Sequence, residues 1–90
     1  MKKLQLFYLT SCPYCIEVLG WIDRLKIENP VYEVLEIEYI EEALQPHVAE
    51  LYDYYRVPCF YIDGVKVHEG VATPKIVSDI FEKAAGSSGL

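Results

Sequence analysis

Apolar positions along the chain come in short runs and helical stripes separated by turn residues. Leu4-Gln5-Leu6-Phe7-Tyr8-Leu9 lies between Lys2-Lys3 and Thr10-Ser11, with the length and flanks of a buried strand. Pro13 suits a first helical position. Ile16, Leu19 and Ile22 against Asp23 and Lys26 then follow helical spacing, with Val18, Trp21 and Leu25 thickening the apolar side. Pro30 biases Asn29 away from helix and predicts the stop. Val31 to Tyr39 sets Val34, Leu35 and Ile37 among Glu33, Glu36 and Glu38, which predicts a second strand parallel to the first. Ile40 to Gln45 follows neither period. Pro46 predicts another helix, its apolar face made of Val48, Leu51, Tyr52 and Tyr55. Phe60-Tyr61-Ile62 and Val65-Lys66-Val67 flank Asp63-Gly64, the signature of a two-residue hairpin turn with positive φ. Thr73 is placed to cap a last helix opened by Pro74, with Ile76, Val77, Ile80, Phe81 and Ala84 as its buried stripe.

The order is therefore β-α-β-α-β-β-α, an α/β arrangement with one mixed four-stranded sheet and helices on both faces. Residues 1–85 are expected to form one domain, and 86–90, rich in Gly and Ser, a flexible C-terminal tail.

Composition narrows the function classes. Hydrophobic residues make up 52% and charged ones 24%, enough for a packed core. A net charge of −6 argues against nucleic acid, because binding its backbone draws on clustered Lys and Arg. No run approaches the ~18 apolar residues of a membrane span. Met1-Lys2-Lys3 and the run ending near Cys12 look like a short leader before a lipid-modified cysteine. The apolar run is shorter than the ~7–15 residues of a signal core, however, so the expected location is the cytoplasm.

Three cysteines are too few for a disulfide-stapled secreted scaffold, whereas Cys12-x-x-Cys15 after a strand and opening a helix suits redox work. With Pro13 first in the helix, Cys12 is the N-cap and Cys15 the third helical residue. The N–H groups of Tyr14 and Cys15 and the positive end of the helix dipole would then favour a Cys12 thiolate. A helix terminus offers an anion about 0.3–2 kcal/mol, and ~1.4 kcal/mol is one pKa unit. Added N–H···S⁻ bonds would bring a free-cysteine value of ~8.5 down to roughly 7 or lower. No Lys, Arg or His stands within several residues, so an extreme depression is not expected. Cys15, one turn further in, is the less exposed thiol and the resolving partner. The same spacing is half of a zinc or iron–sulfur site, which keeps a metal- or cluster-binding module as the alternative. Its further candidates, Cys59, His47 and His68, lack regular ligand spacing, and no metal site is assigned.

Cys12-Pro13-Tyr14-Cys15 followed by Val57-Pro58 resembles the glutaredoxins and their thioredoxin-superfamily relatives, over Leu4 to about Ala85. The resemblance implies a glutaredoxin-type thioredoxin-like fold and a cytoplasmic thiol–disulfide oxidoreductase, monomeric and without a bound organic cofactor. It would act on protein or small-molecule disulfides, with glutathione or a thioredoxin-reductase-type system as electron donor. It also implies a cis bond at Pro58, and backbone pairing of Val57 with the substrate. Two departures bear on the donor. Glutathione-binding members commonly have a lysine three residues before the first cysteine, where this chain has Leu9. They carry a Gly-Gly pair where it has Glu69-Gly70-Val71-Ala72-Thr73, and Glu69 would repel a glutathione carboxylate. Thr73 and Tyr8 are accessory candidates, the latter packing under the motif. By the same resemblance Cys59 lies near the pair, as an alternative disulfide partner, a modified thiol or a metal ligand, or else it is a small buried apolar residue. The tyrosines at 52, 54 and 55 read as packing, and Glu36 to Glu42 as a solvated acidic face.

Overall fold

The structure, a computed structural model, describes residues 2–86. In chain order the elements are β1 (Leu4–Tyr8), α1 (Pro13–Glu28), β2 (Ile37–Glu41), α2 (Pro46–Ala49), β3 (Cys59–Ile62), β4 (Val65–Glu69) and α3 (Pro74–Ala85). The four strands form one mixed sheet in the order β2-β1-β3-β4. β1 pairs parallel with β2, from Leu4 opposite Ile37 to Tyr8 opposite Glu41, and antiparallel with β3, with Phe7 opposite Cys59.

Side-chain alternation divides the core in two. Leu4, Leu6, Phe60 and Ile62 face Val18 and Ile22 of α1 and Val77, Ile80, Phe81 and Ala84 of α3. Each such side chain contributes on the order of 1.5–3 kcal/mol when fully buried. Phe7, Cys59 and Tyr61 point the other way, with Ile40, Ala49 and the tyrosines that follow α2. Gln5 is buried on this second side, its amide donating to Glu38 (2.9 Å) and to the Tyr52 hydroxyl (2.7 Å). Among the described residues no helix is long and apolar enough to cross a membrane.

The hairpin and the last helix form as their local chemistry dictates. Asp63 (φ 48°) and Gly64 (φ 83°) both take the left-handed turn conformation between Ile62 and Val65. Thr73 caps α3, its Oγ1 accepting from the Ile76 N–H at 3.2 Å. Gly86, placed in the tail by its sequence, ends α3 in the left-handed conformation, and residues 87–90 of that tail lie outside the described residues.

Three expectations are corrected. The second strand does not begin at Val31. Pro30–Val34 is a 3-10 turn with Val31 and Val34 exposed, and the strand runs later, through Glu41. Pro30 cannot donate to a ladder, and Tyr32 instead packs edge-on against Phe81, with ring centroids 5.4 Å apart. The helix after Pro46 is a single turn, leaving Leu51 80% and Tyr55 90% exposed. Tyr52 and Tyr54 take the inner positions, their rings 4.7 and 4.8 Å from Phe7, because the chain must double back there to enter β3. In α1 the buried seam is Cys15, Val18 and Ile22, with Ile16 51% exposed.

Thr73→Ala removes the α3 cap and is expected to cost about 0.5–2 kcal/mol. Differential scanning calorimetry should show a fall in Tm of roughly 4–8 °C per kcal/mol.

Candidate functional site

Strand register gathers the site at one end of the sheet. Tyr8 ends β1 opposite Glu41 at the end of β2, while Cys59 opens β3 opposite both Phe7 and Glu69 at the end of β4. The turn leading into α1, the Val57-Pro58 segment and the Glu69-Gly70 loop therefore all meet there.

Leu9 O accepts from the Cys12 N–H at 3.1 Å, closing the turn through Thr10 and Ser11. Cys12 is the N-cap (φ −94°, ψ 116°), with Pro13 first in the helix, and its carbonyl accepts from the N–H groups of Cys15 (3.0 Å) and Ile16 (3.1 Å). The turn is held from β2. Glu41 Oε2 accepts from the Thr10 N–H (3.2 Å) and hydroxyl (3.1 Å), and Oε1 from the Ala43 N–H (2.6 Å). Glu41 is only 6% exposed, so the solvated acidic face expected across 36–42 fails here. Its neighbour Glu42 is half-buried and accepts from the Tyr54 hydroxyl at 2.6 Å. The Thr10 amide is the largest influence on the Glu41 carboxyl and, with the Ala43 amide and the Thr10 hydroxyl, holds it below the usual carboxylate range despite burial.

The two sulfurs of the pair differ in acidity. Burial pushes the partly exposed Cys12 thiol up, but the Cys15 amide, the Cys15 thiol and the Tyr14 amide together outweigh it, and the net shift is downward. No side-chain cap bond is closed at the Cys12 sulfur. These groups act by facing the anion. Cys15 is fully buried and pushed up to about 12, first by burial and then by the Cys12 thiolate and the charge of Glu42, against the Leu9 amide.

Val57-Pro58 is a cis peptide bond. Pro58 is fully buried and its carbonyl accepts from the Gly70 N–H at 2.8 Å. Val57 is half-buried and makes no hydrogen bond among the described residues. Immediately before it, the Tyr55 and Arg56 N–H groups both donate to Glu69 Oε2, the latter at 2.8 Å, while Lys66 Nζ donates to Glu69 Oε1 at 2.7 Å. The Glu69 side chain is thus turned into its own chain. In the sequence Glu69 reads only as a charge facing a ligand, because its partners Tyr55 and Arg56 lie 14 and 13 residues away and meet it only in the fold.

Of the other candidates, Pro13 and Tyr14 lie exposed on the first turn of α1, Tyr8 packs against the larger core cluster, and Thr73 caps α3. Cys59 is fully buried among Phe7, Ile40 and Tyr61, on the opposite face of the sheet from α1. Its side chain does not join the pair, and burial, then the charge of Glu69, pushes its thiol up to about 12. His68 is satisfied locally by the Val71 carbonyl at 2.9 Å. Among the described residues no group of three or more His, Cys, Asp and Glu side chains is placed to hold a metal ion.

The fold and its paired cysteines define a thioredoxin-like protein. The thioredoxin Mala s 13 of Malassezia sympodialis aligns with a TM-score of 0.74 at 16% identity, over 93% of this chain and 75% of that one. The oxidised thioredoxin of Plasmodium falciparum aligns at 0.71 and 17% identity, over 93% and 81%. Thioredoxin O1 of Arabidopsis thaliana aligns at 0.66 and 17% identity, over 92% and 77%. A comparison with curated proteins gives no match. The glutaredoxin family model matches residues 4–67, and the chain belongs to that family. Membership supports thiol–disulfide oxidoreductase chemistry as the kind of function.

Alkylation of Cys12 by iodoacetamide should titrate with a midpoint below that of the same cysteine in the unfolded chain, while Cys15 stays unreactive. Cys15→Ala should move that midpoint upward, since the Cys15 thiol is one of the groups favouring the anion. Because the Glu41 pKa is depressed on folding, its contribution is fully present above the unfolded carboxyl value and is lost as pH falls through the lower folded value. The stability difference between wild type and Glu41→Gln, measured by urea unfolding, should therefore shrink from neutral to acid pH.

Proposed function

We propose that this chain is a dithiol–disulfide oxidoreductase in which Cys12 attacks and Cys15 resolves. The observation that carries the reading is the placement of two sulfurs one helical turn apart, Cys12 partly exposed at the N-cap of α1 and Cys15 fully buried, an arrangement that lowers the outer thiol's pKa and raises the inner one's. The Cys12 thiolate attacks one sulfur of a substrate disulfide. A mixed disulfide forms, and the other half leaves as a thiolate that takes a proton from solvent. That step consumes the Cys12 charge and the thiol-to-thiolate hydrogen bond, both of which raise the Cys15 pKa in the resting dithiol. Cys15 then ionises more readily and attacks the Cys12 sulfur, and its proton passes to the departing substrate thiolate. The substrate gains two electrons, and the chain is left with a Cys12–Cys15 disulfide.

Pro13 and Tyr14 shape the approach to Cys12. Val57, with its N–H and C=O unpaired beside Pro58, offers an edge on which an extended substrate can lie as an added strand. Substrates are disulfide-bearing proteins or small disulfides, taken up by a cytoplasmic monomer. The returning electrons come from glutathione or from a thioredoxin-reductase-type system, and turnover with each donor separately distinguishes them.

Cys12→Ser should abolish reduction of insulin disulfides, and full activity in that variant would overturn the assignment. Cys15→Ser should still form a mixed disulfide, visible as a trapped adduct by mass spectrometry that reductant releases.

A further inference from the structure

Glu69 ends β4 opposite Cys59, yet its carboxylate spends its acceptors on the segment before Val57. Successive amides of Tyr55 and Arg56 donate to one oxygen and Lys66 to the other. Two further ties hold the same segment, because the Asp53 carbonyl accepts from the Tyr61 hydroxyl (2.7 Å) and from Lys66 Nζ (3.2 Å). Residues 53–56 have no helix or strand of their own, so these side chains of β3 and β4 supply the order that a backbone ladder would otherwise give. The next residue along, Val57, is left with both backbone groups open.

We propose that Glu69 is a positioning residue for substrate. By clamping the Tyr55 and Arg56 amides it presents the free N–H and C=O of Val57, as a pre-ordered strand edge, to an extended cysteine-bearing polypeptide. The proposal rests on the oxidoreductase reading for the identity of the substrate, but the clamp itself is a matter of geometry. Charge-assisted bonds to a carboxylate are stronger than neutral ones, and an edge fixed in advance spares the substrate the entropy of ordering it. The Lys66 hydrogen bond, followed by the Tyr55 amide, holds the Glu69 carboxyl at about 2, so the clamp stays charged at neutral and mildly acid pH.

The test compares wild type, Glu69→Ala and Glu69→Gln with one probe, a short neutral peptide bearing a single cysteine. As a peptide disulfide, its KM should rise about ten-fold in Glu69→Ala and by less in Glu69→Gln, whose amide oxygen can still accept from both N–H groups. The rate of Cys12 alkylation should not change, which separates positioning from general loosening. Hydrogen exchange should show the Tyr55 and Arg56 amides protected in wild type and released in Glu69→Ala. Binding of the reduced peptide, read from the Val57 amide resonance, needs no turnover and should weaken in the same order. Equal KM and equal peptide affinity in wild type and both variants would overturn the proposal, as would parallel loss of Cys12 reactivity. Inactivity of wild type on every disulfide would instead overturn the oxidoreductase reading, leaving the peptide-binding comparison to decide the role of Glu69.

Discussion

A negative charge on the Cys12 sulfur is affordable only because the chain turns from strand to helix within a few residues there. Pro13 fixes the first helical φ and gives up an N–H that would have had no partner. The Tyr14 amide, and the Cys15 amide that also donates to the Cys12 carbonyl, are left on the side of the sulfur. Much of the fold serves that junction. β1 delivers the chain to it, α1 is anchored by Val18 and Ile22 against the sheet, and Glu41 ties the intervening turn to β2. The core and the site are thus continuous, so that a loosened α1–sheet contact would be felt at the sulfur.

The other half of the site arrives by a less regular route. After a single helical turn the chain crosses the second face of the sheet on tyrosines, two of which stack on Phe7 and hydrogen-bond to Gln5 and Glu42. It reaches Pro58 with its amides engaged by a side chain rather than by a strand. The thiol pair and a segment without backbone pairing are brought to one end of the sheet by register, through Phe7, Cys59 and Glu69.

The parts legible in the sequence are those whose physics is local. Asp63-Gly64, Thr73-Pro74 and Cys12-Pro13 each announce a turn or cap within a few residues; the first two form as read, and Cys12 takes the N-cap position without closing a side-chain cap bond. The element order followed from these and from apolar periodicity, and the glutaredoxin-type fold from the resemblance carried by Cys12-Pro13-Tyr14-Cys15 and Val57-Pro58. What could not be read depends on partners far along the chain. Glu41 looks like one of several exposed acids until β2 is laid beside β1. Gln5 looks like an interruption in an apolar run until Glu38 and Tyr52 are brought to it. Val48, Leu51, Tyr52 and Tyr55 match a helical period after Pro46, but contacts of Tyr52 and Tyr54 with Phe7 favour a bend after a single turn. Val31 to Val34 has strand composition, but Pro30 withholds a donor and the segment closes as a 3-10 turn.

The burial of Cys59 bears on how cleanly electrons would leave the molecule in the proposed reaction. A third reactive sulfur at the mouth of the site would compete for a captured client and open a branch ending in a wrongly paired, idle enzyme. Turned behind the sheet among Phe7, Ile40 and Tyr61 and kept protonated, it is withdrawn from that competition. In the proposed exchange, a chain with three thiols is left with a two-thiol circuit.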